Sequence, residues 1–317
     1  MPLATAAQYR PFASGRYTIA PGLHALTTDF GNGPADQYIF QLDEAYPDFI
    51  ANKAACRREG MQKYYVQARE RPDTLRAITR FIAQRLAEDY PEHCALQKTG
   101  DVYELTNRLR GLRIRWDNDG QLLNNKVYAS LWDALADQVP EDLALWQTVG
   151  EEDYLSTIHL CAPNHWAPAD KVGKPFSLVH QPVAEMETLR RRYLPMLRSL
   201  LKPNTWVRFA WGLGTDTRLN HHPQAPSGLA PEAWSGRSFE PADPQLFVRI
   251  ERQTLTGFPE VGAVLFTIRT YFEDVQQLSF TERQALAQAV ETMSEATLRY
   301  KGLFEQREQI LAWLTVV

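Results

Sequence analysis

The alternation of apolar and polar positions sorts much of the chain into helices and strands. After Asp73, a suitable N-cap, Leu75, Ile78, Ile82 and Leu86 recur at helical spacing on one face. Residues 39–53, IFQLDEAYPDFIANK, read as the end of a strand followed by a helix. From Leu96 to Trp116 the period shortens to two, in runs divided by Gly100-Asp101 and Gly111. The last run sets Leu112, Ile114 and Trp116 on one face and Arg113 and Arg115 on the other, before an Asp119-Gly120 turn. Residues 126–201 carry a mainly helical pattern, interrupted by prolines at 140, 163, 168, 175 and 182. Strand signals return at Trp206–Trp211, Leu246–Leu255 and Val261–Tyr271, and the stretch from Trp211 to Phe239 reads as loop. Ser279 and Glu282 fit a capping box. After them Leu286, Val290, Met293 and Tyr300 share a helical face, and Gly302 stands at a C-terminal cap. The first 35 residues, rich in Pro, Gly and Ala, predict a segment wrapped over a surface. Helices mixed with hairpin-like strands predict an α+β fold.

Charge and composition narrow the function. Among 317 residues, 34 Lys and Arg stand against 38 Asp and Glu without a basic block, which argues against a nucleic-acid groove. No apolar run approaches the ~20 residues of a membrane span. The N-terminal stretch MPLATAAQYRPFASGR lacks an apolar core and carries Arg10 and Arg16, against a secretory signal. Cys56, Cys94 and Cys161 are widely spaced without a C-x-x-C, so neither a zinc ribbon nor a disulfide framework is supported, and a cytoplasmic location is expected.

Several familiar sites are missing. Gly212-Leu213-Gly214 follows a strand, but Thr217 takes the sixth position of a dinucleotide fingerprint, and no P-loop, H-E-x-x-H or G-x-S-x-G occurs. Any redox chemistry therefore draws its electrons from another chain. Histidine is scarce. His221-His222 reads as an exposed loop pair, and His159 and His165 as ordinary core or surface residues. His180 differs: it ends the apolar run Phe176-Ser177-Leu178-Val179 and precedes Gln181-Pro182. An imidazole fixed at such a rigid, apolar place suits axial ligation of haem iron, although from composition alone a satisfied core histidine is the favoured reading. A second cluster lies in residues 247–255. As a strand it sets Arg249, Glu251 and Gln253 on one face and Ile250, Arg252 and Thr254 on the other. Such charges in an apolar segment are costly unless paired or facing a ligand. They fit an ion-paired solvent face or guanidinium groups meeting an anionic ligand. Arg269 and Tyr271 end the partner strand, and Arg208 is a further cation inside WVRFAW.

These residues resemble a known family. CAPNHWAPADKVGKPFSLVHQPV, residues 161–183, is similar to the Trp-x4-Lys-x-Gly-x-Pro…Ile-His-x-Pro-Val segment of haem-dependent oxidative N-demethylases. LFVRIERQTLTGFPEVGAVLFTIRTY, residues 246–271, resembles that family's Arg-x-Glu-Arg-Gln-Thr-Leu…Gly-Ala-Val-Leu-Phe-Thr-Ile-Arg-Thr-Tyr stretch, and IFQLDEAYPDFIANK and WVRFAW fit in order. The resemblance implies a PAS-like antiparallel sheet flanked by helices over residues 36–275, an extended segment before it and C-terminal helices, 276–317, packed on it. It implies haem b with His180 as the iron ligand. Trp166, Lys171, Arg208, Arg249, Arg269 and Tyr271 are then expected around the cofactor, and Glu251 and Arg252 in catalysis, holding the substrate ammonium and donating to bound oxygen. The expected reaction is oxidative demethylation of a small amine such as dimethylamine with O2, releasing formaldehyde. Its electrons come from a flavin and iron–sulfur reductase fed by NADPH, and self-association is left open. The chain departs from the pattern at Asn164-His165, Asp170, Phe176, Val179 and Pro182-Val183-Ala184, which bears on substrate choice. The competing expectations are a haem-PAS gas sensor, a non-haem metal site of His159, His165 and His180, and Cys161 as a thiolate ligand.

Overall fold

The computed structural model describes residues 2–19, 22–124, 126–150, 152–181, 193–235 and 238–316. Among them, ten strands form two antiparallel sheets. The larger contains β1 (His24–Ala25), β2 (Tyr65–Gln67), β6 (Asp142–Val149), β7 (Glu152–His159), β8 (Thr205–Gly214), β9 (Phe247–Phe258) and β10 (Ala263–Asp274), in the order β1-β8-β9-β10-β6-β7-β2. The smaller is the meander β3 (Cys94–Thr99), β4 (Val102–Asn107) and β5 (Leu112–Asp117). The helices are α1 (Tyr46–Glu59), α2 (Pro72–Asp89), α3 (Leu131–Ala136), α4 (Phe176–Val179), α5 (Tyr193–Leu200), α6 (Pro231–Ser235), α7 (Phe280–Glu291), α8 (Glu295–Tyr300) and α9 (Arg307–Val316). The mixed α+β architecture read from the sequence is thus present.

Strand alternation divides the large sheet into two differently covered faces. Leu143, Leu145, Ala263 and Leu265 join Ile78, Ile82 and Leu86 of α2, Trp132 of α3 and Ile114 and Trp116 of β5 in one core. Farther along that face, Val248 and Ile250 pack with Tyr9 and Phe12 of the N-terminal segment and with Leu286, Val290 and Leu314 of the C-terminal helices. The opposite face presents Ala144, Trp146, Val264 and Ile268 to Val179 of α4 and Leu197 and Leu200 of α5. A cavity lies beneath these two short helices.

Two expectations fail here. The helical reading of 126–201 is wrong for its middle, where β6 and β7 form a hairpin at the sheet centre. Both faces of that hairpin are covered, so Asp142–Gln147 and Asp153–His159 are buried almost without interruption. The period-two signal that marks a half-exposed strand is erased. The single C-terminal helix is also broken: Ser294 caps a new helix through Thr297 N–H (3.2 Å), turning Tyr300 out of the line of buried Leu286, Val290 and Met293. The capping box at Ser279 and Glu282 forms as expected.

Gly257 holds α5 against the sheet. A Cβ there would sit 2.1 Å from the Lys202 carbonyl oxygen and 2.3 Å from that of Leu200, both backbone atoms. Overpacking of this kind costs about 1–3 kcal/mol or more. Gly257→Ala is expected to lower the urea midpoint and increase the exposure of Trp206 and Trp146 to fluorescence quenchers, because α5 must lift. An unchanged midpoint would show that the docking is loose.

Candidate haem and amine site

The segment ahead of α4 is pinned to β7. Gly173, at φ 82°, allows the turn, and Gly173 N–H donates to Leu155 O (2.8 Å) while Leu155 N–H donates to Lys174 O (3.0 Å). Pro175 starts the helix, and Asp153 accepts from Phe176 N–H at 2.7 Å. His180 follows the last turn. Its Nδ1 is 3.0 Å from the Phe176 carbonyl oxygen, which fixes Nδ1 as the protonated nitrogen and leaves Nε2 with its lone pair. The ring lies against Phe176 (4.0 Å between centroids) and stacks over Trp146 (6.3 Å). Burial lowers its pKa to about 4, opposed by the Phe176 hydrogen bond, so the imidazole is neutral near pH 7.

His180 lines a cavity of about 260 Å³ together with the apolar Trp146, Phe176 and Met196 and the charged Arg208, Arg249 and Glu251. The strand reading of residues 247–255 holds: Arg249, Glu251 and Gln253 share the cavity face of β9. Glu251 accepts a hydrogen bond from Gln253 Nε2 (3.0 Å) and lies 3.9 Å from Arg249 Nε. Arg249 is fixed by donating to Ala162 O (2.7 Å), Leu219 O (3.1 Å) and His221 Nδ1 (3.3 Å). Lys171 sits 4.1 Å above the Trp166 ring, and both line the cavity. Two wider hollows beneath the N-terminal segment, about 570 and 530 Å³, lack the pairing of imidazole with carboxylate.

The chain has a match among known families. The family described as "Haem-dependent oxidative N-demethylase, alpha subunit-like" matches residues 33–311. The chain belongs to this family.

Membership in the haem-dependent oxidative N-demethylase alpha subunit-like family gives the cavity its reference chemistry, and the residues present fit a haem. Nε2 is a neutral nitrogen donor, Trp146 and Phe176 offer flat walls, and the shielded Nε of Arg249 has no hydrogen-bond acceptor among the described residues.

Other expected site residues lie elsewhere. The pleat carries Arg252, Arg269 and Tyr271 through to the opposite face of the sheet. There Arg252 donates to Asp36 O (3.0 Å) and Tyr38 O (2.9 Å), Arg269 donates to both oxygens of Asp43 (2.7 and 2.9 Å), and the Tyr271 hydroxyl donates to Gln41. Arg252 and Glu251 are sequence neighbours, and the pleat turns their side chains to opposite faces of the sheet. Arg252, Arg269 and Tyr271 therefore stand on the face of the sheet away from His180, and Glu251 faces the cavity without Arg252. The three-histidine metal site is also unsupported. His159 bonds Asp133 (3.2 Å), His165 packs on His221 and only His180 reaches the cavity, with no group of three metal-binding side chains among the described residues. Cys161 is fully buried beside Cys56, and burial raises its thiol well above the usual range, so it presents no thiolate to the cavity. His221 and His222 are not a solvent-exposed pair either: His221 bonds Asp216 (2.9 Å) and His222 is 4% exposed. Pro182-Val183-Ala184 lies outside the described residues.

The sequence reading missed Tyr17, Trp146, Met196, Tyr300 and Lys301 as cavity residues. Lys301 donates to Trp211 O from the end of α8, where a lysine is ordinarily read as a favourable end charge. Burial lowers both Lys171 and Lys301 from the usual 10.5 to about 8. Their charge therefore penalises the ligand-free fold below about pH 8, and that penalty is relieved as pH rises from about 8 towards 10.5. An anionic ligand reverses the sign by favouring the protonated amines. Hemin binding is expected to weaken from pH 7 to about pH 9.5 and to take up protons near pH 8, measured by calorimetry in buffers of different protonation enthalpy. Equal affinity across that range would remove the lysines from anion binding.

Proposed function

We propose that this chain seats haem b on His180 and oxidatively demethylates a small N-methylated amine, with O2 as oxidant and electrons from a separate flavin and iron–sulfur reductase fed by NADPH. The observation that carries the reading is the His180 imidazole, neutral, oriented through Phe176 O and turned into the same cavity as Glu251. The strand order β7-β6-β10-β9-β8, in which β6 and β10, the first and last of the five along the chain, are neighbours at the centre, supports a PAS-like reading of the sheet. Bound haem supplies O2 reduction, in which one oxygen atom goes to the N-methyl carbon and the other leaves as water with two electrons and two protons. The carbinolamine product then separates into formaldehyde and the demethylated amine.

The protein's own residues prepare that chemistry. His180 offers Nε2 because Nδ1–H is spent on Phe176 O. Lys171, Lys301 and Arg249 are available to the haem carboxylates, while Trp146, Phe176 and Met196 supply apolar walls that exclude water. Glu251, oriented by Gln253, offers a carboxylate to the substrate ammonium.

The test begins with an absorption spectrum of hemin-loaded protein, with and without dithionite and CO, followed by formaldehyde release on supply of a reductase, NADPH and an N-methylated amine. Glu251→Gln is expected to weaken amine binding by at least about ten-fold while hemin affinity stays nearly constant, since a charged hydrogen bond is lost. Parallel loss of both would make Glu251 a structural part of the strand face.

A further inference from the structure

We propose that the cavity is built for an N-methylated amine that also carries a carboxylate, an N-methylamino acid, with Arg208 holding the carboxylate and Glu251 the ammonium. The proposal rests on the haem demethylase reading above and narrows its substrate class.

Charge balance is the first argument. Lys171, Arg208, Arg249 and Lys301 all line the cavity, and Glu251 is its single carboxylate among the described residues. The two carboxylates of a ferrous haem, whose iron–porphyrin core is neutral, would leave one positive charge uncompensated, and ferric hemin would leave two. A simple alkylammonium substrate adds one more in a shielded space, where like charges repel strongly. A zwitterion adds none.

The second argument is which cation is uncommitted. Arg249 already donates to the carbonyls of Ala162 and Leu219, Lys301 to the carbonyl of Trp211, and Lys171 lies on the Trp166 ring, and each keeps further N–H groups for the haem carboxylates. Arg208 makes no hydrogen bond or ion pair among the described residues, and its Nε is shielded without an acceptor. A guanidinium left without an acceptor in a cavity is suited to a planar carboxylate, which it can bind through two parallel N–H groups.

Strand register supplies the spacing. Arg208 lies opposite Gln253 across β8 and β9, and Ala210 lies opposite Glu251. Arg208 and Glu251 are therefore diagonal neighbours on the cavity face, roughly 7–8 Å apart at the backbone. Their side chains can grip the two ends of one small zwitterion. The family resemblance assigns Arg208 to the cofactor; the register next to Glu251 assigns it to substrate.

The test titrates dimethylamine and N-methylglycine into hemin-loaded protein, read by calorimetry and by the Soret shift. N-methylglycine is expected to bind at least about ten-fold more tightly, as a bidentate charged contact is added. Arg208→Gln should erase that preference by weakening N-methylglycine and strengthening dimethylamine, which loses a repelling charge, while hemin affinity stays within about two-fold, and Arg208→Lys should restore part of the preference. Equal binding of the two amines by the unmodified protein overturns the proposal. So does an Arg208→Gln protein that loses hemin but keeps the preference, which would give Arg208 to the haem carboxylates. If hemin does not bind at all, the haem reading fails separately. Calorimetry on the haem-free chain then still decides, since the preference supports the zwitterion site and its absence sinks it.

Discussion

His180→Ala is expected to weaken hemin binding by more than about 100-fold and to remove the Soret band at micromolar protein, while the far-UV circular dichroism stays unchanged. Loss of a group that merely orients a metal ligand costs about 10–100-fold, and loss of the ligand itself costs more. The fold survives because α4 is only a four-residue helix laid on one face of the sheet, and Val179 holds it there independently of the imidazole. The ring leans on Phe176 and Trp146, which pack against the rest of the apolar wall without it. Added imidazole should restore part of the band by occupying the space left by the side chain. His165→Ala provides the contrast, because that ring faces His221 and its removal should leave the spectrum as it was. An unaltered Soret band in His180→Ala would remove His180 as the ligand.

The legible parts of this protein are those whose two sides differ. In β5, Leu112, Ile114 and Trp116 face the core and Arg113 and Arg115 face water, so the sequence shows the strand directly. On β9 the cavity replaces solvent as the polar side, and Arg249, Glu251 and Gln253 declare one face by the same rule. The β6–β7 hairpin offers no such contrast, because core closes over both sides of it. The site was half legible for a related reason. His180 stands in a proline-bounded run with its own local signature, whereas Tyr17, Trp146 and Lys301 reach the cavity from segments far apart in sequence. Only tertiary packing brings them together. Arg252 shows the opposite trap: adjacency along a strand places two charges on different faces, and a shared motif obscures that.

Asp43→Ala is expected to destabilise the protein by about 3–5 kcal/mol while leaving hemin binding intact. Asp43 holds the Arg269 guanidinium through both carboxylate oxygens, and the side chains are 7% and 1% exposed. Arg269 also stacks on Phe49 of α1 (3.7 Å), so the pair ties that helix to β10. Removing the carboxylate strands a charge that cannot reach water. For a chain of this size the cost corresponds to a melting point lower by on the order of 10 °C. The double substitution Asp43→Ala/Arg269→Met should recover much of the loss, since an apolar pair of similar volume carries no desolvation penalty. Both variants should take up hemin with the affinity of the unmodified chain, because Arg269 lies on the face of the sheet away from His180. The alternative is sharply different: if Arg269 reached the cofactor, Arg269→Met would lose hemin affinity, and restoring the balance at Asp43 would not return it. Urea unfolding and hemin titration of the same three proteins separate the two outcomes.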